Sequence, residues 1–470
     1  MRLFETLLLV CVLILWIGNT WVKRRRFGFL ISIACIGAAL LHVIVEGYRW
    51  QMIPLYALTL GYLLVKNRKR RIWASVLFLF LWALSAALPL LLPVFTLDSP
   101  TGPYPVGTMT YDWTDASRDE KLTAAPDDRR ELLVQLWYPA QLDEGAKKAL
   151  YMPEYRQMGQ AMHQAHNIPA FIYGYLGYVK MQAYASTRLA ADQAQYPLLV
   201  FSHGLPGTRF TSTMQMEELA SHGYLVCAIQ HTGYASATVF SDQHVVPKTK
   251  TLPPVIDIDA WDQLIQTWVQ DAQFVLDEFG KLNQNDPQGL LTGKINMDQI
   301  GMLGHSFGGA ATVQTLHADK RMKAGVNMDG TPFGKAIADG LPQPFMLMKA
   351  GDAGAGNDAE PTDQQLAKIG VSRQAFDKYK TEIPARTRSL FGNGGYTVTF
   401  QGIKHMSFTD YYAWSPALRW MDGLHVSPKA TRSKINSYVL AFFDKYLKQL
   451  PAPLLDNETS PYLDVIVEKK

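Results

Sequence analysis

Ile300-Gly301-Met302-Leu303-Gly304-His305-Ser306-Phe307-Gly308-Gly309-Ala310-Ala311 places an apolar run directly before a Gly-x-Ser-x-Gly turn and a small-residue helical run directly after it. So sharp a strand-to-helix turn strains the backbone of the serine. Gly304 and Gly308 are required because a Cβ at either position would collide with a neighbouring element. The turn holds the Ser306 hydroxyl at the C-terminal end of a strand, beside a helix N-terminus that favours developing negative charge. Outward from it, short apolar runs alternate with longer helical patterns. Residues 132–137, 198–201, 224–229, 300–303, 325–328, 345–348 and 397–400 read as buried strands. Residues 260–282, 307–317 and 433–447 read as helices, the first with Asp259 as its N-cap. This alternation predicts an α/β fold, a mostly parallel sheet covered by helices on both faces. Two stretches break it: 152–185, loaded with Tyr and Met, and 352–395, a polar insertion rich in Gly and Asp.

A serine hydroxyl is a poor nucleophile until a base takes its proton and donors stabilise the oxyanion. Upstream, Leu198-Leu199-Val200-Phe201-Ser202-His203-Gly204-Leu205-Pro206-Gly207 is a strand running into a His-Gly loop. Such a loop supplies one backbone N–H to an oxyanion and the residue after the nucleophile supplies the other, which nominates Leu205 and Phe307. The base must follow the nucleophile in chain order, leaving His317, His405 and His425. His317 falls in the helix after the turn, and His425 in a polar region before the last helix. His405 follows the strand 397–400 in a loop at the sheet's C-terminal edge, where a base belongs. Asp329 and Asp352 each follow a strand, and either meets the requirement for an orienting carboxylate.

The chain has 470 residues, 48% hydrophobic and 18% charged, with a formal charge of +4, which excludes a disordered chain. Residues 1–97 carry eleven Lys/Arg against only Glu5 and Glu46, leaving 34 basic and 39 acidic residues for 98–470. The larger part is mildly acidic, so a nucleic-acid partner has no electrostatic footing. Three cysteines form no disulfide framework, and Cys227, within an apolar run, reads as a core residue. Residues 3–22, 27–45, 53–65 and 72–92 are apolar, and four transmembrane helices are the expected count, the third run being short. Basic clusters at 23–26 and 66–71 belong in the cytoplasm. The last span then carries residues 98–470 to the extracytoplasmic side of a multi-pass cell-membrane protein. The expected domains are 1–97, transmembrane, and 98–470, catalytic. His42 and Glu46, near a loop, are expected at the interface and carry no assigned role.

Several blocks resemble the platelet-activating-factor acetylhydrolase family, the plasma and type II branch of the α/β-hydrolases. They are Val200-Phe201-Ser202-His203-Gly204-Leu205, Leu219-Ala220-Ser221-His222-Gly223-Tyr224 continuing to Ser236-Ala237-Thr238, Gly304-His305-Ser306-Phe307-Gly308-Gly309, Met328-Asp329-Gly330-Thr331-Pro332 and His405-Met406-Ser407-Phe408-Thr409-Asp410. The resemblance covers roughly residues 130–450. It implies an α/β-hydrolase fold and favours Asp329 over Asp352, completing a Ser306–His405–Asp329 triad. It also implies a serine esterase without cofactor or metal that removes short, acetyl-like acyl groups from phospholipid-type esters. The four-span anchor and the 352–395 insertion depart from the family pattern. Two alternatives stand beside this reading: an esterase for non-lipid esters, xenobiotic or polyester, and a catalytically silent receptor or scaffold. Met158, Met162, Tyr173, Tyr175, Tyr178 and Met181 would suit an adaptable apolar wall for the acyl pocket, ordinary packing being the alternative. His163 and His166 lack companion ligands for a metal and read as exposed.

Overall fold

A computed structural model describes the chain except residues 19, 21–24, 65–71, 124–126, 250–251, 255, 352–359 and 458, and the side chains of 25, 165 and 166. Most of both basic clusters, Asp352 and the His166 side chain therefore lie outside the described residues.

Four apolar helices come first: α1 (Leu3–Ile17), α2 (Arg25–Leu41), α3 (Ile53–Leu64) and α4 (Ile72–Leu91). Two helical segments among the described residues are long and apolar enough to cross a membrane, Arg26–Glu46 and Ile72–Leu91. This corrects the expectation of a four-helix transmembrane bundle. α1 has 15 residues and α3 has 12. At about 1.5 Å per residue neither reaches across a hydrocarbon core of roughly 30 Å. Large apolar side chains on the two longer helices, among them Phe29, Leu30, Ile72, Trp73 and Phe80, are exposed. His42 is fully buried, against Glu5, Arg2 and Tyr56, and Glu46 accepts a hydrogen bond from the Phe4 amide.

The remainder is mixed α/β. Its strands are β1 (Val106–Asp119), β2 (Arg129–Gln141), β3 (Lys148–Leu150), β4 (Lys180–Ala185), β5 (Arg188–Leu189), β6 (Tyr196–Ser202), β7 (Leu225–Gln230), β8 (Ala237–Val239), β9 (Val245–Pro247), β10 (Ile295–His305), β11 (Met322–Met328), β12 (Phe345–Ala350), β13 (Tyr396–Phe400) and β14 (Val465–Lys469). Twelve of them form one sheet in the order β14-β13-β12-β11-β10-β6-β7-β2-β1-β4-β3, with β5 on β2. The central run from β7 to β13 is parallel throughout. Buried apolar side chains on both faces, such as Leu199 and Phe201 on one and Leu198 and Val200 on the other, make two cores. That is why these strands read as unbroken apolar runs rather than alternating ones.

Between the strands lie α5 (Tyr155–His166), α6 (Thr213–Ser221), α7 (Ile258–Gln284) and α8 (Phe307–Ala318). The N-cap of α7 is Asp257, which accepts from the Ala260 amide at 3.1 Å, so Asp259 lies inside the first turn rather than at the cap. The stretch 152–185 is α5, a 3-10 segment Ala170–Tyr178 and β4. That 3-10 segment packs on the N-terminal helices: Trp50 meets Phe171 edge-on at 4.9 Å, and the Tyr178 hydroxyl donates to the Tyr48 carbonyl. Described residues of the 352–395 insertion form helices Asp363–Lys368 and Arg373–Ser389. Cys227 is fully buried in β7, where burial pushes its thiol pKa up.

The order β11-β10-β6 brings the loops after these three strands to one edge. Their packing there leaves no room for a Cβ: one on Gly308 would lie 2.0 Å from the Ser202 carbonyl oxygen, and one on Gly304 2.1 Å from that of Gly308. Gly174, by contrast, faces open space. Gly308→Ala should therefore destabilise the fold by about 3 kcal/mol, the upper end for overpacking. Gly174→Ala should change stability by less than about 0.5 kcal/mol. Thermal melting of the two variants reads the difference, and equal melting temperatures would contradict the close approach.

Candidate active site

Ser306 stands between β10 and α8 with φ +55° and ψ −121°. A non-glycine residue in that region costs about 1–3 kcal/mol and persists only where its surroundings impose it. The imposing contacts are visible: the Ser306 amide donates to the Met328 carbonyl at 2.9 Å, and its carbonyl accepts from the Gly309 amide at 2.9 Å. Asp329, just past β11, also has a positive φ, +58°. Its amide donates to the Met348 carbonyl at 2.8 Å, and its Oδ1 accepts the Ala350 amide at 3.1 Å. Its Oδ2 is thereby left to the imidazole of His405, whose Nδ1 lies 2.7 Å away. A carboxylate only accepts, so Nδ1 carries the proton and Nε2 is the nitrogen free to take another.

Ser306 and His405 line the same cavity of about 260 Å³, together with Leu205, Met152, Met158 and Met162. The Ser306 hydroxyl makes no hydrogen bond among the described residues; such bonds are often long or absent before substrate binds. Leu205 follows Gly204, where a Cβ would lie 3.1 Å from Ser306 Cβ. Phe307 opens α8, so its amide is one of the unpaired N–H groups of a helix N-terminus. The structure thus brings together Ser306, His405, Asp329, Leu205 and Phe307. His317 and His425 are exposed. Of the proposed apolar wall, Met158, Met162 and Tyr173 line the cavity. Tyr175 and Met181 belong to the core, and Tyr178 faces the N-terminal helices. His163 is exposed. The one trio of potential metal-ligating side chains among the described residues is Glu5, His42 and Glu46, in the N-terminal helices. Arg2 and Arg49 already pair with Glu5 there, so the local charge is met without a cation.

Three supporting residues escaped the sequence reading. His305 Nε2 donates to the His405 carbonyl at 3.0 Å, tying the histidine loop to the nucleophile turn, and burial lowers its pKa to about 3. Asn327 accepts the Gly330 amide at 2.7 Å and donates to the Gly330 carbonyl at 3.0 Å, closing the turn that carries Asp329. An Asn inside the apolar run Ala324-Gly325-Val326-Asn327-Met328 was the available signal. Asp410, fully buried, accepts the Met214 amide at 3.1 Å, and its own amide donates to the Thr211 carbonyl. It joins the histidine loop to the start of α6.

The description "Platelet-activating factor acetylhydrolase, isoform II" belongs to the family model matched by residues 94–448. The chain is a member of that family. The match begins just after α4. The platelet-activating factor acetylhydrolase of Bos taurus is 26% identical over 67% of this chain and 71% of its own length. A probable 1-alkyl-2-acetylglycerophosphocholine esterase of Arthroderma benhamiae is 25% identical over 79% of this chain and 93% of its own. Among solved structures, a ferulic acid esterase from Streptomyces cinnamoneus aligns with a TM-score of 0.61 and 27% identity, covering 79% of this chain and 99% of that one. The chain is accordingly a carboxylic ester hydrolase, which removes the silent-receptor alternative.

Burial raises the Asp410 carboxyl from 3.8 to about 7, outweighing the attraction of Arg432. The folded state therefore binds a proton that the unfolded state has released between these two values, and stability falls as pH rises through that window. Asp410→Asn should flatten the dependence of melting temperature on pH between about 4 and 7. An unchanged slope would contradict the assignment.

Proposed function

We propose that Ser306, His405 and Asp329 form a catalytic triad that hydrolyses short-acyl, acetyl-like esters of phospholipid-type substrates. The observation that carries this is the 2.7 Å contact of His405 Nδ1 with Asp329 beside a serine that lines the same cavity. The Ser306 hydroxyl attacks the ester carbonyl while His405 Nε2 takes its proton. Asp329 holds the tautomer and stabilises the imidazolium. The Leu205 and Phe307 amides receive the oxyanion, and the imidazolium protonates the departing alcohol. Water activated by the same ring then releases the acid and frees Ser306. The cavity is smaller than the roughly 300–1,000 Å³ of drug-sized ligand sites, which favours a short acyl group. Its methionines suit an apolar substrate. The likeness to a ferulic acid esterase favours a second reading, hydrolysis of non-lipid esters by the same groups.

We further propose that residues 1–97 form a membrane-embedded region and 98–470 an α/β-hydrolase domain. Two apolar helices of spanning length, with exposed apolar side chains, support integral attachment. The cluster 66–71 directly before Ile72–Leu91 favours a start in the cytoplasm and an extracytoplasmic catalytic domain.

A fluorophosphonate probe should label the wild type and leave Ser306→Ala unlabelled, and Asp329→Asn should lose about 10⁴-fold in kcat. Labelling independent of Ser306 would overturn the triad. In a panel of esters, acetyl phospholipids should turn over; simple or feruloyl esters cleaved with acetyl phospholipids untouched would transfer the case to the second reading. Protease added to intact cells should digest the catalytic domain, and full protection would reverse the sidedness.

A further inference from the structure

A second Ser–His–Asp constellation lies beneath the first. Ser202 Oγ is 2.9 Å from His231 Nε2, and His231 Nδ1 is 2.8 Å from Asp271 Oδ2. All three side chains are fully buried. Asp271 Oδ1 accepts from Arg118 Nη1 at 2.9 Å and Arg130 Nε at 3.0 Å, and its Oδ2 accepts from Arg130 Nη2 at 2.6 Å. Burial opposes the Asp271 charge, but Arg130 and His231 outweigh it and hold the carboxyl well below the usual range. His231 stays neutral, its pKa lowered by burial. Nδ1–H therefore serves Asp271, and Nε2 accepts the Ser202 hydroxyl.

The hydrogen bonds continue towards the reacting atoms. The His231 backbone amide donates to His203 Nε2 at 3.3 Å. This fixes the proton of the buried His203 ring on Nδ1, which donates to the Gly204 carbonyl at 2.7 Å. That carbonyl shares one trans peptide plane with the Leu205 N–H, so fixing its oxygen aims the N–H the opposite way. On its other side the His231 ring stacks on Trp268 at 3.7 Å, and Trp268 meets the Phe307 ring edge-on at 5.0 Å.

We propose that the buried Ser202–His231–Asp271 relay, acting through His203 and Trp268, positions the Leu205 and Phe307 amides as the oxyanion site. The proposal rests on the triad reading of Ser306. With no opening to solvent the relay is no second active site, and its members are positioning residues. What it sets is donor orientation, which counts only once the carbonyl oxygen becomes tetrahedral and charged.

The test uses Ser202→Ala and His203→Phe in the full chain, with an acetyl p-nitrophenyl ester as substrate and a trifluoromethyl ketone as probe of the tetrahedral state. Both variants should lose about tenfold or more in kcat with KM changed less than about twofold, since one oxyanion donor is worth about 10²–10³. Ketone affinity should fall in step with kcat/KM. A merely structural role would lower the melting temperature and the amount of active protein without coupling kcat to ketone affinity. His203 has no ionic partner, so His203→Phe leaves no buried charge unpaired and carries the test should Ser202→Ala not fold. Wild-type kcat in either folded variant, or a loss of kcat with ketone affinity unchanged, would overturn the proposal. Failure of the triad reading is separately visible, as activity that survives Ser306→Ala.

Discussion

Everything at this site depends on how closely α8 approaches the end of β6. Gly308 leaves space for the Ser202 carbonyl where a side chain would overlap it, and Gly330 likewise faces the Ser306 carbonyl, which a Cβ there would approach to 2.2 Å. These contacts are backbone against backbone, so they do not yield by rotamer changes. They hold the strained Ser306 in place, set the His-Gly loop beside it, and bring the Asp329 turn against the same segment. The fold tolerates an unfavourable φ at both Ser306 and Asp329 because neighbouring strands over-determine each position through hydrogen bonds.

Four histidines gather around the serine, and burial sorts them. His203, His231 and His305 lie in the interior. Burial lowers the pKa of all three, so each serves as a fixed donor and acceptor rather than a titrating group. The His405 side chain is 41% exposed and has one ring nitrogen uncommitted. Similar imidazoles thereby divide into three buried framework rings and one open to the cavity, with depth in the protein as the deciding variable.

Much of this was legible in the sequence. The nucleophile turn, the His-Gly loop and His405 announce themselves because each is a short local pattern beside an apolar strand, and all seven expected strands are present. Choosing Asp329 over Asp352 took resemblance, since both follow a strand and periodicity treats them alike. Partners far apart in the chain were hidden. Nothing local to Asp271, in the middle of α7, marks it as the partner of His231 or Arg130. Apolar composition does not mark where a helix ends, so the runs 3–22 and 53–65 read as longer than the described helices α1, of 15 residues, and α3, of 12. β1 and β4, near one end of the sheet, and the edge strand β14 carry mixed polar patterns with exposed positions, and offered no unbroken run to find.

The segment Ala170–Tyr178 has two neighbours at once. Tyr173 faces the cavity, while Phe171 and Tyr178 rest on Trp50 and Tyr48. The Arg49 guanidinium reaches the Leu92 carbonyl, and Ser415, next to the cavity residue Trp414, donates to the Leu91 carbonyl. The N-terminal helices are thus a buttress for the pocket. A version lacking residues 1–97 would lose that backing and present bare aromatic faces to water. Its acyl preference would then describe a different enclosure from the one the whole chain builds.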